Sequence, residues 1–193
     1  MNGSGSSLTR PLNLLVDDDL ILKEIQLSDA NAIFEIIDHQ REYLREWLPF
    51  IDYTRHIGDT RAYIHSIHDK PGDHRDKVFT IWFRGNAVGL MGLKGTDLDN
   101  HKTEIGYWLS NDMQGKGIVT RSCRRLIAYL FDNMSMNRIQ IRVGTTNEKS
   151  KNIPKRLGFK FEGIERCGEL LNTGFTDLEV YSMLLTEFLL AEQ

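Results

Sequence analysis

The sequence predicts an α/β fold built on a sheet of mixed strand direction with helices on its faces. Three observations carry that reading. Residues 77–109 hold three strand-like segments, split by Arg84-Gly85-Asn86 and by a polar loop at 97–102, which form a meander. A helical stripe of Val119, Cys123, Leu126, Ile127 and Leu130 follows at once. A strand at 138–143, a short helix ending at Gly158 and a hairpin at 161–185 then close the chain.

The elements before the meander follow local rules. Leu12–Val16 and Leu20–Ile25 are strand-like runs around Asp17-Asp18-Asp19, which reads as a turn. Ser28 is the expected N-cap of a helix from Asp29 to about His39, with Ala32, Ile33, Ile36 and Ile37 as its buried face. A second helical stretch covers Glu42–Trp47 and stops before Pro49. Its Tyr43, Leu44, Trp47 and Leu48 crowd one face, as core or as the wall of a cleft. Asp59 or Thr60 is the expected cap of a third helix reaching His68. His65, His68 and His74 have a loose metal-ligand spacing, but no Cys or carboxylate completes a set, so no metal is expected.

Composition narrows the function classes. The chain has 193 residues, 40% apolar and 26% charged, which suits one folded domain over residues 12–193 behind a Gly/Ser-rich flexible tail at 1–11. A net charge of −3 gives no basic footprint for nucleic acid. No apolar run reaches the length of a membrane span, and the N-terminus lacks the apolar core of a signal peptide. The two cysteines, Cys123 and Cys167, are too few for a disulfide framework, so a cytoplasmic location is expected. Cys123 falls among core residues and reads as a small apolar group.

The chemistry concentrates in Thr103–Thr120. Glu104–Leu109 reads as a strand, Ser110-Asn111-Asp112 as a turn, and Gln114-Gly115-Lys116-Gly117 as a glycine loop opening a helix. Free N–H groups and the positive end of the helix dipole favour an anion there, and glycines allow close approach. A Walker loop requires G-x-x-x-x-G-K-[ST], and Ser110 and Gly117 occupy its first and last places. A dinucleotide fingerprint requires a third glycine where Thr120 stands. A tight strand–helix turn without a ligand is the plain alternative.

A third pattern fits. Gln114-Gly115-Lys116-Gly117-Ile118-Val119 resembles the Q/R-x-x-G-x-G/A loop of the GCN5-related N-acetyltransferases, with Val119 where Gly or Ala is usual. Asn147-Glu148-Lys149-Ser150, followed by Leu157-Gly158-Phe159 and Glu162-Gly163, resembles the second signature of that family. Leu20-Ile21-Leu22, Ser28-Asp29-Ala30 and Gly106-Tyr107-Trp108 also match, and together they resemble its RimJ/RimL branch over residues 12–186. The resemblance implies a mostly antiparallel sheet with a splayed central strand pair. It implies acetyl-CoA as a co-substrate, with no metal, and an amine acceptor: a ribosomal or other protein N-terminus, with a polyamine or small amine as alternative. A homodimer is a family-level expectation. Carried over, Trp108 and Leu109 contact the pantetheine arm. Gln114, Gly115, Lys116, Gly117, Ile118, Val119 and Thr120 hold the pyrophosphate, and Asn147 and Ser150 reach the thioester end.

The reaction itself needs a neutral amine. An α-amino group titrates near about 8 and a lysine near about 10.4. A carboxylate can take the amine proton and a hydroxyl can protonate the leaving thiolate. Glu169 and Glu104 are the candidate bases and Ser150 the candidate acid. Glu169, ten residues after Phe159, matches the position of a proposed base in RimL-like enzymes. Asp97, Asp99, Glu165 and Asp177 are further acidic candidates for attracting a cationic acceptor. A non-catalytic acyl-CoA-binding module is the reading from another class.

Overall fold

The structure, a computed structural model, describes residues 11–69 and 76–191. His74 and the turn at 71–73 lie outside these residues, as does most of the N-terminal tail. Eight strands form one sheet in the order β1-β2-β3-β4-β5-β6-β8-β7. They are β1 (Asn13–Asp17), β2 (Leu20–Glu24), β3 (Val78–Phe83), β4 (Asn86–Asp97), β5 (Lys102–Leu109), β6 (Arg138–Gly144), β7 (Lys160–Leu171) and β8 (Gly174–Leu184). Every neighbouring pair is antiparallel except β5 with β6. That is the mixed, mostly antiparallel sheet the sequence implied.

The helices are α1 (Ala30–His39), α2 (Arg41–Leu44), α3 (Ile57–His68), α4 (Ile118–Met134), α5 (Glu148–Arg156) and α6 (Leu185–Ala191). They cover opposite faces of the sheet and divide the core. On one side α4 packs Ile118, Cys123, Leu126, Ile127 and Leu130 against Leu22, Ile81, Met91 and Ile139. On the other, α1 and α3 pack Ile33, Ile37, Ile64 and Ile67 over Val78 and Leu90. The α4 stripe is thus anchored by Ile118 rather than by Val119, which is only half-buried.

Two helix starts differ from the sequence reading. Ser28 does not cap α1; a 3-10 turn over Leu27–Asp29 precedes the helix, and Asp29 reaches back to accept from the Gln26 N–H at 3.1 Å. Asp29 also accepts from the Thr80 hydroxyl at 2.8 Å, tying α1 to β3. Likewise His56, not Asp59 or Thr60, is the N-cap of α3, and Asp59 accepts from the Arg55 and His56 N–H groups at 2.8 and 3.0 Å. In both cases a carboxylate three residues into the turn does the work. Two of the three aspartates of the first turn have a structural role. Asp17 and Asp19 hold Arg121 of α4 at 2.6 and 3.0 Å, locking the β1–β2 turn to the start of that helix.

Candidate acetyl-transfer site

β5 and β6 pair only at Lys102–Arg138, Thr103–Ile139 and Glu104–Gln140. Beyond that point β5 stays with β4 and β6 stays with β8, so the two strands part. The fork is pinned by Arg142, which bonds Glu104 at 2.6 Å and Glu165 at 2.9 Å. Past the fork, main-chain groups of Ile105–Leu109 on the β6 side have no ladder partner, so an extended ligand arm can pair with them.

The glycine loop closes one end of this opening. Gly115 and Gly117 have φ of 73° and 69°, the left-handed region that glycine enters at no steric cost. Gly117 is the N-cap of α4, no side chain caps that helix, and its first turn carries no acidic residue. Its leading N–H groups and the positive end of its dipole are thus open to an anion. The loop is held from α1: Gln40 donates to the Ser110 hydroxyl at 2.8 Å and accepts from the Asn111 N–H at 2.8 Å.

α5 forms the opposite wall. Asn147 caps it, accepting from the Ser150 N–H at 3.1 Å. Pro154 lies inside the helix and has no N–H for the Ser150 carbonyl. The Tyr107 hydroxyl takes that place, donating to the Ser150 carbonyl at 3.2 Å. It also accepts from the Ser150 hydroxyl at 3.2 Å. Burial pushes the Tyr107 hydroxyl far above its ordinary pKa, so it stays a neutral donor. Tyr107 thereby fixes both the helix turn and the side chain of Ser150 from the neighbouring strand.

Trp108, Leu109, Gln114, Gly115, Gly117, Ile118, Val119, Thr120, Asn147 and Ser150 line one cleft of about 1080 Å³. Lys116 is not among the lining residues; its ammonium lies against the Met113 sulfur at 3.3 Å. Val119 does both: half-buried, it packs against the α4-side core and lines the cleft wall. Tyr43, Leu44, Trp47 and Leu48, which the sequence offers as core or cleft wall, all line the cleft, and Leu44 is buried in the core as well. Sequence reasoning missed Tyr107, Lys149 and Arg156. Gln114 donates to the Tyr43 hydroxyl and accepts from Lys149 at 2.7 Å, spanning the cleft from α2 to α5.

A second cavity, of about 490 Å³, lies on the α1–α3 side of β4 and β5. Leu48, Tyr107 and Trp108 line both spaces, so the two meet across that stretch of β5. Glu169, near the tip of the β7–β8 hairpin, lines the second cavity, and among the described residues its side chain has no hydrogen bond or ion pair. Glu104 lines neither space; its side chain is 12% exposed and already bonded to Arg142. Asp97, Asp99, Glu165 and Asp177 also line neither. Asp97 caps its own turn through Asn100, Glu165 bonds Arg142, and Asp177 accepts from the Cys167 N–H at 2.7 Å. Cys123 is fully buried and its thiol is pushed well above the usual range by desolvation, so it is no nucleophile.

A family description, the acetyltransferase (GNAT) domain, matches residues 19–160. The chain belongs to the GNAT acetyltransferase family. The putative ribosomal N-acetyltransferase YdaF of Bacillus subtilis (strain 168) is 33% identical to it, over 90% of this chain and 95% of that protein. The structure of RimL, a ribosomal L7/L12 alpha-N-protein acetyltransferase in complex with coenzyme A, covers 91% of this chain and 99% of its own. Its TM-score is 0.87 at 22% identity, which establishes the fold. The microcin C7 self-immunity acetyltransferase MccE, in complex with acetyl-CoA and AMP, matches with a TM-score of 0.84 and 26% identity over 88% of this chain and 94% of its own.

The enzyme is thus an acetyl-CoA-dependent N-acetyltransferase. Its residues fit that co-substrate. The open helix start suits a diphosphate, the strand fork suits an extended amide-bearing arm, and the Ser150 hydroxyl, bonded to the Tyr107 hydroxyl, lines the same cleft. Among the described residues there is no group of His, Cys, Asp or Glu arranged to hold a metal ion, and no helix long and apolar enough to cross a membrane.

Proposed function

We propose that this acetyltransferase modifies the N-terminal α-amine of a ribosomal protein, with Glu169 as base and Ser150 as acid. One observation carries the reading: two spaces meet at Tyr107-Trp108, one ending in an open helix N-terminus and the other holding an unbonded carboxylate. Acetyl-CoA supplies an activated acyl group on a thiolate leaving group. Gly115, Gly117 and the first turn of α4 bind its diphosphate, and the free edge of β5 at Trp108 and Leu109 orients its arm. Asn147 keeps Ser150 in the first turn of α5. Glu169 accepts the proton of the incoming ammonium; as the C–N bond forms and the C–S bond breaks, the Ser150 hydroxyl donates a proton to the departing sulfur and regains one from the acylated nitrogen, which becomes the neutral amide. Each role of this kind contributes about 10²–10⁴-fold. Tyr107 holds Ser150 from behind and itself keeps its proton.

The ribosomal acceptor is supported by likeness to YdaF, the relative at 33% identity that is named for ribosomal N-acetylation. The cavity's charge supports a monoamine over a polyamine. Its lining offers Glu169, Asp59 and one ammonium, Lys94. Asp59 is already matched by the N–H groups at the start of α3, which hold its carboxyl below the usual range. That leaves one free carboxylate, enough for one cationic head. The test is thiol release from acetyl-CoA with a panel of ribosomal-protein N-terminal peptides and spermidine. Turnover of peptides is the expected result, and preference for spermidine overturns the acceptor assignment.

Residues 12–193 act as one catalytic domain in this reading, in the reducing cytoplasm where ribosomes and the free thiols of Cys123 and Cys167 are compatible. A homodimer is supported by the edge strand β7, which leaves Phe161 and Ile164 exposed. Sedimentation of the wild type and Ile164→Lys tests it, with a monomeric wild type as the refuting result.

A further inference from the structure

We infer that Lys151 is a positioning residue for acetyl transfer. Its buried ammonium ties the first turn of α5 to the β6–β8 half of the sheet and thereby sets where the Ser150 hydroxyl stands. The inference rests on the reading of Ser150 as acid given above. It starts from two local rules that Lys151 breaks. Lysine is among the residues least often buried, yet Lys151 is 6% exposed. A cation opposes the dipole at a helix start, yet Lys151 stands in the first turn of a helix that begins at Glu148. Departures of this kind gather at functional sites, where other contacts offset them.

The ammonium meets the Thr145 carbonyl at 2.7 Å, Glu179 at 3.2 Å and Glu148 at 2.5 Å, so each of its three donors has a partner. The bond to Glu148, then that to Glu179, holds Lys151 above its ordinary pKa and keeps it charged. Glu179 also accepts from the Tyr181 hydroxyl on the same strand. Thr145 lies in the β6–α5 turn, and its N–H donates to the Asp177 carbonyl of β8 at 3.0 Å. Lys151 is thus fastened to β8 twice, directly through Glu179 and indirectly through that turn. No other side chain of the first turn is buried: Glu148 and Lys149 are exposed, and Ser150 is half-buried against the cleft. Apolar anchoring begins only at Ile153 and Pro154. From the other side, Tyr107 holds Ser150 to β5. Because β5 and β6 part at the fork, the two grips fasten this turn to both separated halves of the sheet. Tyr107 alone would leave the turn to follow β5. Lys151 fixes its distance from β8, and with it the place of the hydroxyl in the opening.

The test uses the full-length enzyme, acetyl-CoA, and whichever acceptor of the peptide and spermidine panel it turns over fastest. Lys151→Met strands the Glu179 carboxylate and should unfold at lower denaturant. Lys151→Met/Glu179→Gln removes both charges and keeps an acceptor for Tyr181. It should regain most of that loss, because replacing a buried ion pair is tolerated better than removing one partner. Its kcat should nevertheless stay about 10-fold below wild type, with KM for acetyl-CoA within about twofold, as expected when a reacting group is displaced. The second readout is coupling to Ser150. Added to Ser150→Ala, the double change should cost no further rate, since the group it positions is gone. Wild-type kcat in the folded double variant overturns the inference and leaves Lys151 a structural ion pair. The same loss repeated on the Ser150→Ala background also overturns it, because Lys151 then acts on something other than Ser150. Undiminished kcat in Ser150→Ala overturns the acid role itself, and this inference with it.

Discussion

The cofactor cleft and the acceptor cavity share Tyr107 and Trp108 but are made differently. The cleft is built largely from backbone: the open edge of β5, two left-handed glycines and the first turn of α4. Its parts fall in two short segments, 107–120 and 146–156, with only the α2 wall from elsewhere. The cavity is built from side chains drawn from Ile33 to Glu169, on three helical segments, β3, β4, β5 and a hairpin tip. Backbone conformation is dictated by local residues, so a site made of main-chain donors is written as a short motif. A site made of side chains depends on which distant elements pack together. Variation at the acceptor side can therefore change specificity while the cleft stays intact, and that contrast can be tested.

The largest effects should come from the reacting groups. Glu169→Gln and Ser150→Ala should each lower kcat by about 10²–10⁴-fold while acetyl-CoA affinity, measured by calorimetry, holds near wild type. Their pH dependence separates them. An α-ammonium loses its own proton as pH rises through about 8, so the base is needed less and the Glu169→Gln defect should shrink in alkaline buffer. Departure of the thiolate still needs a proton donor there, so the Ser150→Ala defect should persist. Equal defects for the two variants at pH 7 and pH 9.5 would remove Glu169 from the base role. Glu104→Gln should behave as neither, since it breaks the Arg142 fork pair and its loss should not shrink with pH.

Next is Gly117→Asp, expected to weaken acetyl-CoA binding by about 100-fold. A Cβ at Gly117 meets no protein atom within 4 Å, and Asp enters the left-handed region more readily than most residues. The variant should therefore fold, with the loss due to a carboxylate facing a diphosphate. Gly117→Asn keeps shape without charge and should recover most of the affinity. Unchanged binding in Gly117→Asp would move the diphosphate elsewhere and undo the backbone account of the cleft.

How far the sequence disclosed this molecule follows the same division. The meander, α4, β6, α5 and the closing hairpin were legible because each carries its own period or turn residues, such as Arg84-Gly85 and Asn172-Thr173. The glycine loop was legible because glycine is the residue that enters φ near 70° at no steric cost, as at 115 and 117. Helix starts at Gln26 and His56 were not, because their caps are residues outside the usual Ser/Thr/Asp/Asn set. The commitment of Glu104 to Arg142 depends on the β5–β6 register, and no local pattern encodes it. The place of Tyr107 had one available signal: Pro154 orphans the Ser150 carbonyl, and an orphaned carbonyl needs a donor from somewhere.

That donor gives the third prediction. Tyr107→Phe leaves the Ser150 carbonyl unpaired and frees the Ser150 hydroxyl to rotate. Stability should fall by about 1–2 kcal/mol, read by denaturant unfolding. The kcat should fall by about 10-fold with little change in KM for acetyl-CoA, since Ser150 is less well placed but present. Because burial raises the Tyr107 pKa, the phenol stays protonated through alkaline pH and the wild type should show no activity loss from its ionisation near pH 10. Pairing with Pro154→Ala sharpens the test. An N–H restored at 154 can take the Ser150 carbonyl, so the double variant should regain stability without regaining the full rate.

The smallest effect is expected at Lys149, and it bears most directly on whether the cleft is a backbone site. Lys149 is exposed on the first turn of α5, with its ammonium 2.7 Å from the Gln114 side-chain Oε1 at the edge of the glycine loop. It is therefore positioned to meet a phosphate, but from solvent, where charge pairs contribute about 0.2–1 kcal/mol. Lys149→Ala should raise the dissociation constant for acetyl-CoA by about 2–5-fold at low salt. The difference should fade as ionic strength approaches about 1 M, where screening acts over about 3 Å. Tyr43→Phe removes the other anchor of Gln114 without removing charge, so any effect it has should not depend on salt. The Gly117→Asp loss should outlast the Lys149→Ala loss as salt is added, because its carboxylate sits within the cradle rather than at its rim. If Lys149→Ala instead matches Gly117→Asp in size at every salt concentration, a side chain holds the diphosphate. The cleft and the cavity would then be built on the same principle.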